Sequence, residues 1–319
     1  MKKPANLWQY YVFVFFIWAV YIFLTVAAPR PQNAQQPALS STAIFILSVT
    51  LIIPYMLTWL IAILGWYYFN RFASYAEQKH RPNHQAFRMV SRGLGLLIFD
   101  LICIPIISAA RAFWGTHEAV AASLTILSNY FHILIPLLAF GFLFVGSRKL
   151  VRSSRYATAL RSKMLPTFVA SLLFIALFTI AVFGNTSRQV APGPGSFASY
   201  YISDLMIVLT IIIPLGITWV LGLQAALNTE QYVHALAQPK WRKAINHFFH
   251  GLLAIVGSSI ILQAITAFGS EQLQQVGLAL ILAVIYLFII VQAVGYLFIR
   301  VSARQLHHLI KIGAPREID

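Results

Sequence analysis

The segment Thr50-Leu-Ile-Ile-Pro54-Tyr-Met-Leu-Thr58-Trp59 recurs 160 residues later as Thr210-Ile-Ile-Ile-Pro214-Leu-Gly-Ile-Thr218-Trp219. Between Val49–Gly65 and Leu209–Ala225, six of seventeen positions are identical, and most others exchange one apolar residue for another. Both copies lie in apolar runs long enough to cross a bilayer. The constant Pro-x-x-x-Thr-Trp spacing favours a duplicated membrane unit over a chance resemblance between apolar helices.

Composition places the whole chain in the membrane class. Of its 319 residues, 59% are hydrophobic and only 10% are charged, whereas a soluble domain carries roughly 25% charged residues. Continuous apolar runs, rather than alternating ones, indicate helices. A length criterion of about 20 residues predicts eight transmembrane helices. They are approximately Trp8–Ala28, Ala43–Tyr68, Gly93–Ala110, Val120–Val145, Leu165–Phe183, Tyr200–Leu227, Phe248–Phe268 and Val276–Ile299.

The basic residues predict the orientation of these helices. All but Arg30, Arg111 and Arg188 of the 23 lysines and arginines fall on one side of the predicted membrane. By the positive-inside rule, both termini and the basic loops of about 20 residues are cytoplasmic, so we expect a multi-pass protein of the cytoplasmic (inner) membrane. The same distribution argues against a nucleic-acid partner despite a net charge of +15.

The N-terminal run Trp8–Ala28 has two interpretations. Lys2 and Lys3 before an apolar stretch, with Val26-Ala27-Ala28 after it, are compatible with a signal peptide. However, the run exceeds the usual apolar length of a signal peptide, and it precedes the first repeat as Leu165–Phe183 precedes the second. We therefore predict that it is retained as the first helix.

The duplication extends beyond its best-matching segment. Gly93–Ala109 aligns with Gly251–Ala267 with five identities in seventeen positions, and the segment at Gly141 aligns with that at Gly295. We therefore predict two repeats of four helices each, residues 1–155 and 156–319. Because four is even, the two copies insert the same way up, which predicts parallel repeats related by an axis along the membrane normal.

Proline and threonine define the first group of candidate site residues. A proline within a helix frees the carbonyl four residues earlier and bends the helix. In both copies, threonines stand four residues before and after the proline, so hydroxyls follow the break on one helix face. They either line a cavity or gate, or satisfy the backbone of a packing kink. These candidates are Thr50, Pro54, Thr58, Thr210, Pro214 and Thr218.

Asp100 and His132 form the second candidate group. Both lie deep in predicted spans three and four, which form a hairpin whose loop is centred near residue 116, so their depths should match. Asn129 lies on the same face as His132. The pair is either an ionisable site or a fixed hydrogen bond. The aligned residues of the second copy are Ser258 and Tyr286, a polar pair without an acid.

No motif predicts an enzyme, a metal site or a cofactor. The single cysteine, Cys103, excludes an intramolecular disulfide, and His247-x-x-His250 has the spacing of two metal ligands but indicates no third. An intramembrane enzyme is therefore only a minor alternative.

Two functional hypotheses remain. The first is a small transporter or channel-like protein with a cavity between the two repeats. The second is an accessory, sensor or assembly subunit that binds a partner through a basic cytoplasmic face. The expected partners are the bilayer itself, anionic lipid at the cytoplasmic face, and either a small solute or ion or a protein.

The predicted topology can be tested with reporter fusions. We expect outside signals at Asn33, Thr116 and Gly193, and inside signals at Lys79, Ser153 and Lys240, measured with a paired periplasmic and cytoplasmic reporter. An inside signal at Gly193 would contradict the eight-helix count.

Overall fold

The computed structural model describes residues 41–81, 83–114, 118–152, 213–267 and 278–313. These residues form six α-helices and no β-strand, which confirms the helical fold class. The predicted spans Trp8–Ala28 and Leu165–Phe183 lie outside the described residues, so the eight-helix count and the two repeats stay predictions. The helices are α1 (Ser41–Gln78), α2 (His84–Phe113), α3 (Glu118–Arg152), α4 (Ile213–Ala235), α5 (Pro239–Ala267) and α6 (Leu278–Ile312).

The six helices form a closed ring. Each helix packs against the next one along the chain, and α6 packs back against α1. Helices α1, α2 and α3 follow one another around one half of this ring, and α4, α5 and α6 around the other half.

Two of the described helices contain stretches long and apolar enough to cross a membrane. These stretches are Ile133–Arg152 in α3 and Ile285–Ile312 in α6. In their most apolar windows, only 44% and 39% of the residues are buried inside the bundle. Length and composition alone are weak evidence for a membrane protein, because core helices of soluble proteins meet the same criterion.

The helices extend further toward the basic side than the apolar runs predict. Helix α1 continues ten residues past Tyr68, and α2 begins nine residues before Gly93. The prediction of basic loops of about 20 residues was therefore wrong for this connection and for the one between α4 and α5. Hydropathy falls where a helix leaves an apolar environment, whereas backbone hydrogen bonds can continue beyond that point.

A compact turn joins α1 to α2. The Arg81 amide donates to the Ala76 carbonyl at 2.9 Å, closing a Schellman motif in which His80 adopts a left-handed φ of 48°. At the corresponding α4–α5 turn, the Arg242 guanidinium donates from α5 to the Leu236 carbonyl at 2.7 Å. Both connections therefore hold neighbouring helices as tight antiparallel hairpins.

Glycine permits the closest helix contacts. A Cβ atom on Gly93 of α2 would lie 2.7 Å from the Ala139 carbonyl oxygen of α3. A Cβ atom on Gly251, the aligned residue of α5, would lie 2.8 Å from the Gly295 carbonyl oxygen of α6. Since real Cβ contacts are longer, both helix pairs depend on the missing side chain to approach this closely.

One continuous apolar core connects the two halves of the ring. The Phe69 ring of α1 stacks on Phe248 of α5 at 5.2 Å, and Phe72 lies 6.3 Å from Trp241. Phe72 also meets Phe87 of α2 edge to face at 4.7 Å. These aromatic side chains fill the space between the halves on the side of the two tight turns.

The glycine contacts predict which glycines tolerate alanine. We expect Gly93→Ala and Gly251→Ala each to lower the free energy of unfolding by about 1–3 kcal/mol, because the facing backbone must move. Chemical denaturation in detergent measures this change.

Gly141→Ala and Gly257→Ala are matched controls, because nothing lies within 4 Å of a Cβ atom at either position. They should be neutral, or stabilising by up to about 1 kcal/mol through helix propensity. Equal effects at all four positions would contradict the role assigned to close approach.

Candidate functional site

The charged residues of the described helices concentrate at one end of the ring, which we call the basic end. It comprises both tight turns, the last turns of α3 and α6, and the adjoining turns of every helix. Fourteen lysines and arginines lie there, against the two glutamates Glu77 and Glu230. The basic residues are Arg71, Lys79, Arg81, Arg88, Arg92, Arg148, Lys149, Arg152, Lys240, Arg242, Lys243, Arg300, Arg304 and Lys311.

Contacts between helices hold the basic end together. Lys149 of α3 donates to the Gln85 side-chain oxygen of α2 at 3.5 Å. His247 of α5 lies 3.3 Å from the side-chain oxygen of Gln305 in α6. His307 of α6 lies within electrostatic reach of Arg71 in α1. Polar side chains therefore join α2 to α3 and α5 to α6 at the basic end.

A polar network links α1 and α2 just inside this end. Arg88 donates to Asn70 and to Ser74, both at 3.1 Å, and Ser91 donates to the same Asn70 oxygen at 3.1 Å. Arg88 also forms an ion pair with Glu77, whose carboxylate lies 3.6 Å from Arg88 Nε and whose side chain is more exposed than that of Arg88. The network therefore uses one of the two glutamates internally.

Two arginines of the basic end lie over aromatic rings. The Arg71 guanidinium stands 5.1 Å from the centre of the Tyr67 ring, and that of Arg148 stands 5.8 Å from the Phe144 ring. In each case, the guanidinium lies over the ring of the residue four positions earlier in the same helix, at a distance typical of a cation–π contact.

The predicted gate threonines bond to their own helices. Thr58 and Thr218 are both 0% exposed. Thr58 donates to the Pro54 carbonyl at 2.8 Å, and Thr218 donates to the Pro214 carbonyl at 2.7 Å. Each hydroxyl has one hydrogen, so neither threonine has a further proton to donate to a solute.

The other proline-linked candidates differ in exposure. Thr50 is exposed and Pro54 and Pro214 are half-buried, while Thr210 lies outside the described residues. A cavity or gating role for this group stays a prediction.

Asp100 and His132 are placed on neighbouring helices, α2 and α3. The Asp100 side chain is half-buried, and its Oδ1 atom is fully buried without a hydrogen-bond partner. The side chains of His132 and Asn129 lie outside the described part of the structure, so their pairing with Asp100 stays a prediction. In the second half, the Ser258 hydroxyl donates to the Ile255 carbonyl at 2.8 Å, and Tyr286 is half-buried.

Sequence reasoning missed Gln292. It lies in α6 within an apolar run, is only 7% exposed, and its Oε1 atom has no hydrogen-bond partner. The signal was available, because an amide surrounded by apolar residues in a predicted span is as unusual as Asp100. Tyr296, one turn further along α6, is buried as well.

The histidines flagged by spacing do not form a metal site with other described residues. His247 and His250 flank the Phe298 ring, each with its ring centre 6.0 Å away. Within the described residues, no group of three histidine, cysteine, aspartate or glutamate side chains is close enough to hold a metal ion.

Comparison with known proteins returned no match to a protein-family model, to a curated protein or to a solved structure. The functional argument therefore depends on the residues and contacts of this chain.

The network between α1 and α2 yields a stability prediction. Asn70→Leu should lower the free energy of unfolding by about 1–3 kcal/mol, because Arg88 and Ser91 lose a shared acceptor in a partly buried setting. Asn70→Asp keeps an acceptor oxygen and should preserve stability. Thermal unfolding in detergent measures both.

The exposed Arg92 provides the control, since Arg92→Ala should change stability by no more than about 0.5 kcal/mol. If Asn70→Leu were as mild as Arg92→Ala, the network would not stabilise the hairpin.

Proposed function

We propose that this chain is an integral protein of the cytoplasmic membrane, with eight transmembrane helices in two parallel repeats and both termini inside. We further propose that it is a non-transport accessory or assembly subunit whose basic end binds an acidic segment of a partner protein. The observation that carries the partner proposal is the ratio of fourteen basic residues to two glutamates at the basic end.

The distribution of polarity supports a membrane setting. Large apolar side chains point away from the bundle, including Leu57 of α1 at 54%, Leu138 of α3 at 57% and Ile290 of α6 at 56% exposed. Polar side chains such as Thr229 and Ser302 lie inside it instead. Contiguous apolar outer faces suit lipid tails and would be a liability in water.

Matching local structure supports two repeats. Ile53 and Leu57 are exposed in α1, and the aligned Ile213 and Ile217 are exposed in α4. The threonine-to-proline bonds recur in the same two helices, at 2.8 and 2.7 Å. The glycine contacts recur between α2 and α3 and between α5 and α6. Each feature occupies equivalent positions in the six-helix ring.

The packed junction between the halves argues against a conduit there. On the basic side, the Phe69–Phe248 stack and the neighbouring aromatic rings occupy the space in which a cavity between repeats would open. A solute crossing at this level would have to separate these rings. Binding at the surface requires no such rearrangement.

The cations lie at two levels, which supports a protein partner in addition to lipid headgroups. Arg71 and Arg148 stack on aromatic rings of their own helices, and Arg71 lies about 10 Å before the end of α1 at 1.5 Å per residue. This level suits anionic headgroups. Lys79, Lys240 and Lys243 lie at the exposed tips of the tight turns. They reach furthest into water, where an acidic protein segment can meet them.

The second candidate function, a transporter or channel-like protein, retains one specific observation in its favour. Asp100 and Gln292 keep unpaired acceptor oxygens inside the bundle, and such groups at membrane depth commonly mark ion pathways. Uptake into proteoliposomes that contain only this protein would favour this candidate.

Site-specific photocrosslinking tests the partner proposal. A photoreactive residue in place of the exposed Ala237, in the α4–α5 turn, should form an adduct with a protein segment rich in aspartate and glutamate in native membranes. Lys240→Glu with Lys243→Glu should reduce that adduct at least tenfold, because placing like charges together costs several kcal/mol. Mass spectrometry of the adduct provides the measurement.

The matched control is Lys240→Arg with Lys243→Arg, which keeps the charge and should keep the adduct. Arg242 is left unchanged because it bonds to Leu236 and supports the turn. An adduct insensitive to charge reversal, or adducts with lipid alone, would contradict the proposal.

A further inference from the structure

Two buried acceptor oxygens without donors lie on helices α2 and α6. They are Oδ1 of Asp100 and Oε1 of Gln292. The Gln292 side chain is 7% exposed, so bulk water does not reach it freely. A buried acceptor that stays unpaired lowers the stability of the fold. A ligand that interacts with the lone pairs of both oxygens would remove this cost.

Helix register places the two residues at the same depth. A Cβ atom on Gly65 of α1 would lie 3.3 Å from the Arg300 amide of α6. On the other side of α1, the Trp66 indole donates to the Ser91 carbonyl of α2 at 3.0 Å. Arg300 of α6 and Ser91 of α2 therefore lie at about the same distance from the basic end. Counted away from that end, Gln292 lies eight residues beyond Arg300, about 12 Å, and Asp100 lies nine residues beyond Ser91, about 13 Å.

Tyr296 connects the two positions. It stands one turn from Gln292 on the same face of α6, is buried, and lies within electrostatic reach of Asp100 and Tyr55. Tyr55 of α1 donates to the carbonyl of Leu101, the residue after Asp100, at 3.4 Å. Asp100, Tyr55 and Tyr296 therefore lie near one another, and Gln292 lies one turn of α6 away from Tyr296.

The chemistry of this region selects the ligand. A carboxylate oxygen, an amide oxygen and the phenol oxygen of Tyr296 are hard oxygen ligands of the kind that alkali and alkaline-earth cations prefer. Among these groups, only Asp100 can supply a negative charge to balance a cation, and it does so when the ion replaces its proton. A monovalent ion therefore leaves the site neutral, whereas a divalent ion would leave an uncompensated buried charge.

We propose that Asp100 and Gln292, with Tyr296 between them, form a binding site for one alkali cation. The site would lie between α1, α2 and α6, beyond the aromatic junction from the basic end. It is independent of the proposed partner surface, which uses the turn tips.

The second half provides an internal comparison. Ser258 aligns with Asp100, and its hydroxyl is bonded to the Ile255 carbonyl of the same helix. The equivalent position of α5 thus presents neither a negative charge nor a free hydroxyl hydrogen. The proposed site belongs to one side of the ring only.

Thermal unfolding of the full-length protein in detergent micelles tests the site. Tryptophan fluorescence would follow unfolding in sodium, lithium or potassium chloride, with N-methylglucamine chloride keeping the ionic strength constant. At ten times the dissociation constant, one bound ion should raise the Tm of this 319-residue chain by about 2 °C. N-methylglucamine is too bulky for the site and should leave the Tm unchanged.

Variants locate the effect. Asp100→Asn should abolish the alkali-dependent shift while the protein still unfolds cooperatively. If that variant does not fold, Gln292→Leu should fold and require at least a tenfold higher ion concentration for the same shift. Gln224→Leu is the matched control, because Gln224 is also buried in its helix with an unpaired Oε1 atom. It should keep the wild-type response.

Three outcomes would overturn the site. One is a wild-type Tm that is identical in all four chlorides. Another is a Tm that rises on acidification in N-methylglucamine but never with an alkali ion, which would mean that Asp100 binds a proton only. The third is loss of the alkali response in Gln224→Leu to the same extent as in the Asp100 and Gln292 variants.

Discussion

The close contact between a glycine α-carbon of one helix and a backbone carbonyl of the next is the constraint on which the rest of this bundle depends. At Gly93 and Gly251, no side chain separates α2 from α3 or α5 from α6. Lipid tails are as apolar as leucine, so helices in a membrane gain little from hiding apolar surface and associate through close packing. This packing sets the register of α2 against α3 and of α5 against α6, and it brings the cations at the ends of these helices to one side of the ring.

Much of the helical architecture could be predicted because the length of the apolar runs and the identity between two segments agree. Apolar length predicted helices in the parts of the chain that the structure describes as α1 to α6, and positional identity between Thr50–Trp59 and Thr210–Trp219 predicts that α1 and α4 are equivalent. The helix ends toward the basic side could not be predicted in the same way. Hydropathy reports the environment of side chains, whereas a helix ends where its backbone finds a cap, as at His80 and Arg81.

The candidate site was predicted only in part, for a related reason. A charge in an apolar run, such as Asp100, is visible in a single sequence. Gln292 is equally visible, but its importance depends on which face of α6 it occupies and on its depth relative to α2. Those facts follow from contacts between residues more than 200 positions apart, such as Gly65 and Arg300. Likewise, the spacing around Pro54 left two roles open for Thr58, in a cavity or gate or in bonding to the backbone. Only the contacts show that its hydroxyl donates to the Pro54 carbonyl.

The closure of the ring between α1 and α6 has a consequence for biogenesis. Five of the six neighbouring helix pairs are consecutive among the described helices, whereas the sixth pair joins α1 to α6, the last of the described helices to be synthesised. Until α6 arrives, the side of α1 that carries Gly65 has no native neighbour from the described part of this chain. Contacts this distant in sequence form late and slow the completion of folding. A ribosome that stalls before α6 would therefore leave an open seam along α1, available to membrane chaperones or quality-control proteases.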